Sequence, residues 1–431
     1  MFKKLIKDLN RSKDLGEFER KWITLMANLK LYNELKQTFS LNNLVKAKYG
    51  YKADILIVAG LNSKQLEEKR IYIEDFYGCM FVFNKAKRCN IIHAEFIFNI
   101  DKKIEFKIIK AKPTEIYLAN TYSNESILLD VVKYPHLLIT GGTRSGKSKL
   151  MDCILTNLIV NCSRFELELY LVQVAKSDLV LYENCKQTRA FADNLEKTLI
   201  LLQHIDKKML DRNNLIKPLR QEAKADNYLD YNKVNPLNEL STVYVVFDEM
   251  SSLFQVKGDN KEAKKLKEEI ISLIRRIAQF GAGLGVFLIC SLQRPTADNL
   301  DPFIRSQCTC IISFRQNNSK SSEIVLDDGQ MALGLEQREF IYYTNKHNYG
   351  IVPLVNNKKI YNYIKPKLET KHRDLFRDLK KQKYRNCIPV DFTKVDKDLV
   401  KTKEDKLKEN ISKISNFVPY TQPKHGREKV K

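Results

Sequence analysis

Residues 136–155 read HLLITGGTRSGKSKLMDCIL. The apolar, β-branched run from His136 to Thr140 predicts a buried strand. Gly141–Ser148 fits the pattern G-x-x-x-x-G-K-[ST], and Leu150, Met151, Ile154, Leu155 and Leu158 follow at helical spacing. Strand, glycine-bearing loop and helix in that order make a cradle for a polyphosphate. Gly141 and Gly146 let the backbone turn tightly and bring its N–H groups close to the phosphates, where the helix N-terminus adds positive potential. Gly141, Gly142, Thr143, Arg144, Ser145, Gly146, Lys147 and Ser148 are therefore the candidate nucleotide-binding set. Lys147 can reach the β- and γ-phosphates and Ser148 can ligate Mg²⁺, so ATP and Mg²⁺ are the expected cofactors.

With 431 residues the chain has room for two or three domains. Its 74 Lys and Arg against 52 Asp and Glu leave a formal charge of +22, which points to nucleic acid or an anionic surface as partner. The blander source of such an excess is solubility in a lysine-rich composition. Nine cysteines are dispersed without a C-x-x-C pair. Cys308 and Cys310 read as small core residues on one face of a strand, and unpaired cysteines suit a reducing cytoplasm. The charged N-terminus shows no signal peptide, and no run approaches the roughly 18 apolar residues of a membrane span.

Residues 1–48 read as helical, with Leu15, Phe18, Trp22, Leu25, Met26 and Leu29 on one stripe. Residues 49–114 read as a small α+β domain, with strands at 52–59, 80–83, 90–98 and 103–109 and a helix over 62–77 capped by Asn62 or Ser63. From 115 to 360 strands alternate with helices. Strands are expected at 136–140, 167–174, 242–247, 286–291 and 309–314, with helices at 190–213 and 261–280. That alternation predicts an α/β fold, a mostly parallel sheet covered on both faces. Residues 214–240 read as an irregular excursion. Residues 361–431 form a basic tail with 20 Lys and Arg against 10 Asp and Glu, partly disordered by composition.

Two further stretches carry chemistry. In VYVVFDEM (243–250) a hydrophobic strand ends in Asp248-Glu249. Asp248 can hold Mg²⁺ through water, and Glu249 can activate a water for attack on the γ-phosphate. In FLICSLQRP (287–295) a buried strand ends beside the phosphate-loop strand and places Gln293 where a polar side chain can sense the γ-phosphate. An ordinary polar strand end is the competing reading of Gln293.

Together with YLVQVAKSDLVLY (170–182), LLQHIDKKMLDRNNLI (201–216), YLDYN (228–232) and GVFLICSLQRPTADNLDPFIRSQCTCIISFRQNNSKSSEIVLD (285–327), these stretches resemble the FtsK/SpoIIIE family of DNA translocases. Residues 49–79 look like the domain that precedes the motor in plasmid and transposon members. The resemblance implies a RecA-like P-loop NTPase core and a homo-hexameric ring that pumps double-stranded DNA with ATP. Lys147 and Ser148 then take the P-loop roles, Asp248 and Glu249 the Walker B roles, and Gln293 the sensor role. Three positions depart from the family pattern. Arg144 stands where glycine is common, and Gly281-Ala282-Gly283 and Ile311 stand where arginines are frequent, which leaves Arg305 and Arg315 as candidates for an arginine given to a neighbouring subunit.

The size and layout look more like a coupling or DNA-transfer ATPase of a Gram-positive mobile element than like a cell-division member. A membrane-spanning N-terminus and a winged helix are not visible. The expected setting is conjugative DNA transfer, in the cytoplasm or held peripherally at the membrane by relaxase or transfer-channel partners. Two other readings stay open: a helicase or replication factor of a mobile element, and an ATP-dependent adaptor that docks a relaxase–DNA complex onto a secretion channel.

Overall fold

The computed structural model describes residues 2–85, 90–100, 102–174, 178–296, 299–369 and 376, with main chain alone for 2–13 and 84–85. The expected N-terminal stripe lies on α1 (Phe2–Asn28). Phe18, Trp22, Leu25 and Met26 are buried, and the Trp22 indole N–H donates to the Phe39 carbonyl at 2.7 Å. The helix does not continue to residue 48. Residues 40–47 form β1 (Ser40–Ala47), which pairs antiparallel with β2 (Gly50–Leu56). Asn62 does cap the next helix: its side chain accepts from Lys64 and Gln65 N–H while the Gln65 side chain accepts from the Asn62 N–H. That helix breaks at Lys69 into α2 (Ser63–Glu68) and α3 (Arg70–Tyr77).

β3 (Met80–Lys85) and β4 (Ile91–Ile97) complete a four-stranded sheet in the order β1-β2-β4-β3. The α1 stripe packs on it through Phe81, Ile92 and Phe96. The expected strand at 103–109 is not a strand. Ile104 and Phe106 alternate inward as a strand would, but the segment makes a single bridge, Glu105 to Leu354.

The larger sheet begins with a hairpin, β5 (Glu115–Asn120) and β6 (Ser126–Asp130), then β7 (Leu137–Thr140) and the loop leading into α4 (Lys147–Asn161). Next come β8 (Leu167–Val172), β9 (Thr188–Ala192) and α5 (Leu195–Gln221). Residues 214–240 are more regular than expected. α5 runs through Pro218 to Gln221, and α6 (Tyr228–Val234) follows. Arg212 fixes this region from inside: its buried guanidinium donates to the Leu284 carbonyl at 2.7 Å and to Ser241 Oγ at 3.0 Å.

β10 (Thr242–Phe247), α7 (Lys261–Phe280) and β11 (Val286–Leu292) come next. α8 (Pro302–Gln307), β12 (Cys310–Phe314), α9 (Ser319–Leu326), β13 (Glu339–Tyr343), β14 (His347–Ile351) and α10 (Asn357–Ile364) complete the described elements. Cys308 precedes β12 rather than sharing it with Cys310, and both are buried. Most of the 361–431 tail lies outside the described residues.

The strand order is β6-β5-β14-β13-β12-β7-β11-β10-β8-β9. β12, β7, β11, β10, β8 and β9 run parallel, and the other four add an antiparallel flank. Every residue of β7, β10, β11 and β12 is buried, which is why these strands read as predominantly apolar runs.

His136 enters β7 in the left-handed region, at φ 61°, and its Nδ1 accepts the Leu288 N–H at 3.0 Å. Burial pushes its pKa down to about 4. The unfolded chain takes up that proton near pH 6.5, so the contribution is complete above pH 6.5 and is lost as pH falls toward 4. The loss is about 3 kcal/mol at its limit. Asparagine tolerates φ > 0 and offers an acceptor near the Nδ1 position. His136→Asn is therefore expected to flatten the pH dependence of the urea midpoint between pH 7 and 4.5, relative to the unmodified chain. An unchanged slope would remove His136 from the account.

Candidate active site

The glycine loop is wedged rather than merely flexible. At Gly141 φ is 146°, and an added Cβ would sit 2.5 Å from Phe314 Cβ. At Gly146 φ is 127°, with Phe314 Cε1 at 2.9 Å and Arg338 Cα at 3.1 Å from such an atom. The Gly142 N–H donates to the Arg315 carbonyl at 3.0 Å, and the Arg338 N–H donates to the Ser145 carbonyl at 2.8 Å. The end of β12 and the main chain of Arg338 therefore set the loop's shape. Arg144 turns at φ 62°, a conformation glycine adopts without strain and arginine does not. Thr143 and Arg144 are exposed at the tip.

Gly141→Ala is expected to lower stability by roughly 1–3 kcal/mol, because it combines a disallowed backbone region with a clash against Phe314. Thermal unfolding of the nucleotide-free protein reads this directly. A melting temperature equal to that of the unmodified chain would mean the loop is not held as described.

Gly146 starts α4 without a side-chain cap, so the first-turn N–H groups are not covered by a capping side chain. Leu150, Met151, Ile154, Leu155 and Leu158 are buried, which anchors the helix from behind. Lys147 is buried, and its Nζ donates to the Gly141 carbonyl across the loop. Ser148 is exposed, and its hydroxyl donates to Asp178 Oδ2 at 2.8 Å.

β11 lies between β7 and β10, paired in parallel with both. This order separates the phosphate-loop strand from the acidic strand by one strand and places Gln293 between them. Asp248, just past β10, is buried and accepts from Gln173 Nε2 at 3.0 Å. Glu249 Oε1 accepts from Ser251 Oγ at 2.7 Å and from the Gln293 N–H at 3.3 Å. Lys147, Ser148, Asp248, Glu249 and Gln293 thus all lie at the carboxyl ends of three adjacent parallel strands, where ligands bind in open α/β sheets.

Both arginine candidates make local contacts. Arg305 donates to Asp327 Oδ1 at 2.8 Å and to the Val325 carbonyl at 3.4 Å, a local structural role. Arg315 holds the loop through its main-chain carbonyl, and its side chain is exposed.

Gln173 and Asp178 were not picked out from the sequence. The available signal was a glutamine directly after the apolar run of β8, at the carboxyl end of the strand beside β10.

The residues fit a nucleoside triphosphate with Mg²⁺. Ser145 Oγ is buried without a hydrogen-bond partner in the loop. Ser148 and Asp248 offer hard oxygen donors. Mg²⁺ characteristically uses one or two carboxylates plus substrate phosphates.

Residues 109–297 match the model of the FtsK/SpoIIIE family. That stretch contains the phosphate loop, the acidic strand end and Gln293. DNA translocase FtsK of Leptospira interrogans is 25% identical over 244 residues, 54% of this chain and 24% of that protein. The Listeria monocytogenes FtsK is 28% identical over 222 residues, 50% of this chain and 28% of its own length. The chain therefore spans about a quarter of the length of these curated relatives.

Among solved structures, the pCW3 conjugation coupling protein TcpA matches 81% of this chain and 99% of its own, with TM-score 0.58 and 19% identity. EssC ATPases 2 and 3 of Geobacillus thermodenitrificans match 66% and 52%, with TM-score 0.52 and 14% identity. These likenesses show the fold alone, α/β with a large, mostly parallel sheet. Among the described residues, no helix is long and apolar enough to cross a membrane.

Proposed function

We propose that this chain is an ATPase that uses ATP and Mg²⁺ to move double-stranded DNA, as a homo-hexameric ring serving conjugative or mobile-element transfer. The observation that carries the reading is the gathering of Lys147, Ser148, Asp248, Glu249 and Gln293 at the ends of β7, β10 and β11. In this reading the loop N–H groups and the α4 N-terminus bind the phosphates. Lys147 leaves the neutral Gly141 carbonyl for an anionic phosphate oxygen, a stronger charge-assisted bond. Ser148 and Asp248 would hold Mg²⁺, which would supply positive charge to the phosphates. Glu249 takes a proton from the attacking water, and Gln293, tied to Glu249 through its N–H, registers whether the γ-phosphate is present.

The family domain and the +22 charge support DNA as the track. Lys and Arg would follow phosphates without reading bases. Residues 115–360 would act as the motor, and the sheet before them, with β1 now included, as its accessory unit. The coupling-protein neighbour suggests the conjugative setting and relaxase or channel partners, by fold alone. ATP hydrolysis measured with and without linear duplex DNA tests the reading. Stimulation that weakens steeply with added salt is expected. A rate unaffected by DNA at low salt would overturn it.

A further inference from the structure

Ser148 and Asp248 are joined by a continuous path that runs through neither the phosphate loop nor the acidic strand. The Ser148 hydroxyl donates to Asp178 Oδ2 at 2.8 Å. The next residue, Leu179, donates its N–H to Gln173 Oε1 at 3.0 Å, and Gln173 Nε2 donates to Asp248 Oδ2 at 3.0 Å. Gln173 is 3% exposed, and its own N–H is held by the Ala192 carbonyl. Its amide orientation follows from its partners, since Oε1 faces a donor and Nε2 faces a carboxylate. Asp178 is exposed and Asp248 is buried, so the path leads from the mouth of the site to its floor.

A serine hydroxyl that ligates a cation keeps its proton and must turn it away from the metal. The proton then needs an acceptor on the far side, and a carboxylate there makes the oxygen a better donor to the cation. Asp178 already occupies that place.

We propose that Asp178 is a positioning residue for Mg²⁺ binding. It accepts the Ser148 hydroxyl hydrogen bond, which would leave the Oγ lone pairs free for the cation, and Gln173 locks this acceptor in register with Asp248. The proposal rests on the nucleotide-binding reading above and adds a third element, the segment after β8, to the site. Outer partners of this kind typically change metal affinity by about 10- to 100-fold when removed.

The test is the binding of a fluorescent, non-hydrolysable ATP analogue, titrated with Mg²⁺ and repeated in EDTA. Asp178→Ala is expected to raise the Mg²⁺ concentration for half-maximal binding by about 10- to 100-fold, with unchanged affinity in EDTA. In a Ser148→Ala background the same substitution is expected to add no further shift, because the carboxylate then has no hydroxyl to orient. Gln173→Leu, which cannot bridge, is expected to move the Mg²⁺ requirement in the same direction. An equal loss with and without Mg²⁺, or an undiminished shift in the Ser148→Ala background, would overturn the role of Asp178. Failure of the unmodified chain to bind the analogue at any Mg²⁺ concentration would instead overturn the nucleotide reading.

Discussion

Glu249→Gln is expected to lower ATP turnover by roughly 100- to 10,000-fold, the range for loss of a general base. Nucleotide binding should persist. The substitution keeps the Oε1 acceptor that receives Ser251 Oγ and the Gln293 N–H, so the strand end and its link to the sensor position stay in place. What is lost is the carboxylate that can take a proton from water. A single-turnover experiment separates the steps: tight ATP binding with no phosphate release is expected. Near-normal release would show that another group activates the water, and the role given to Glu249 would fall.

Lys147→Ala should act earlier. Its ammonium is the positive side chain carried by the loop itself at the start of α4, and its Nζ already spans the loop to the Gly141 carbonyl. Removing it should weaken triphosphate binding and slow hydrolysis by roughly 100- to 1,000-fold, the usual cost of deleting one preorganised donor at developing charge. The aliphatic stem is buried, so some stability is lost as well. Calorimetric titration with ATP measures binding alone on folded protein. Unchanged ATP affinity in the Lys147→Ala protein would detach this lysine from the phosphates.

The central part of the fold was legible because its strands are buried on both faces. β7, β10, β11 and β12 carry predominantly apolar sequence, and each was expected within one residue of where it lies. Elements at the sheet margins were not legible. β1 reads SLNNLVKA, with Asn42 and Asn43 at a register shift, so no alternation survives. β13 and β14 form a hairpin whose apolar residues reach only one flank of the sheet. At 103–109 the expected strand is absent: Ile104 and Phe106 are buried, but their main chain meets Leu354 alone, which makes a bridge and not a strand. α5 runs past the expected end at 213 because buried Ile216 keeps the polar stretch packed as a helix, and it starts after the expected 190 because residues 188–192 pair as β9.

The site shows the same contrast. Motif residues are visible because loop geometry restricts residue type, as Phe314 shows by excluding a Cβ at Gly141 and Gly146. Gln173, Asp178 and the main chain of Arg338 contribute through tertiary contacts. Such contacts leave no fixed spacing in the sequence.

The most direct test of the motor assignment is displacement of a third strand from a linear duplex that has no fork or single-stranded end. With ATP and Mg²⁺ the protein is expected to strip the third strand, after a lag that grows with the length of duplex ahead of it, and the Lys147→Ala protein is expected to leave it bound. DNA-stimulated hydrolysis without displacement, or separation of forked strands in its place, would contradict translocation along duplex DNA.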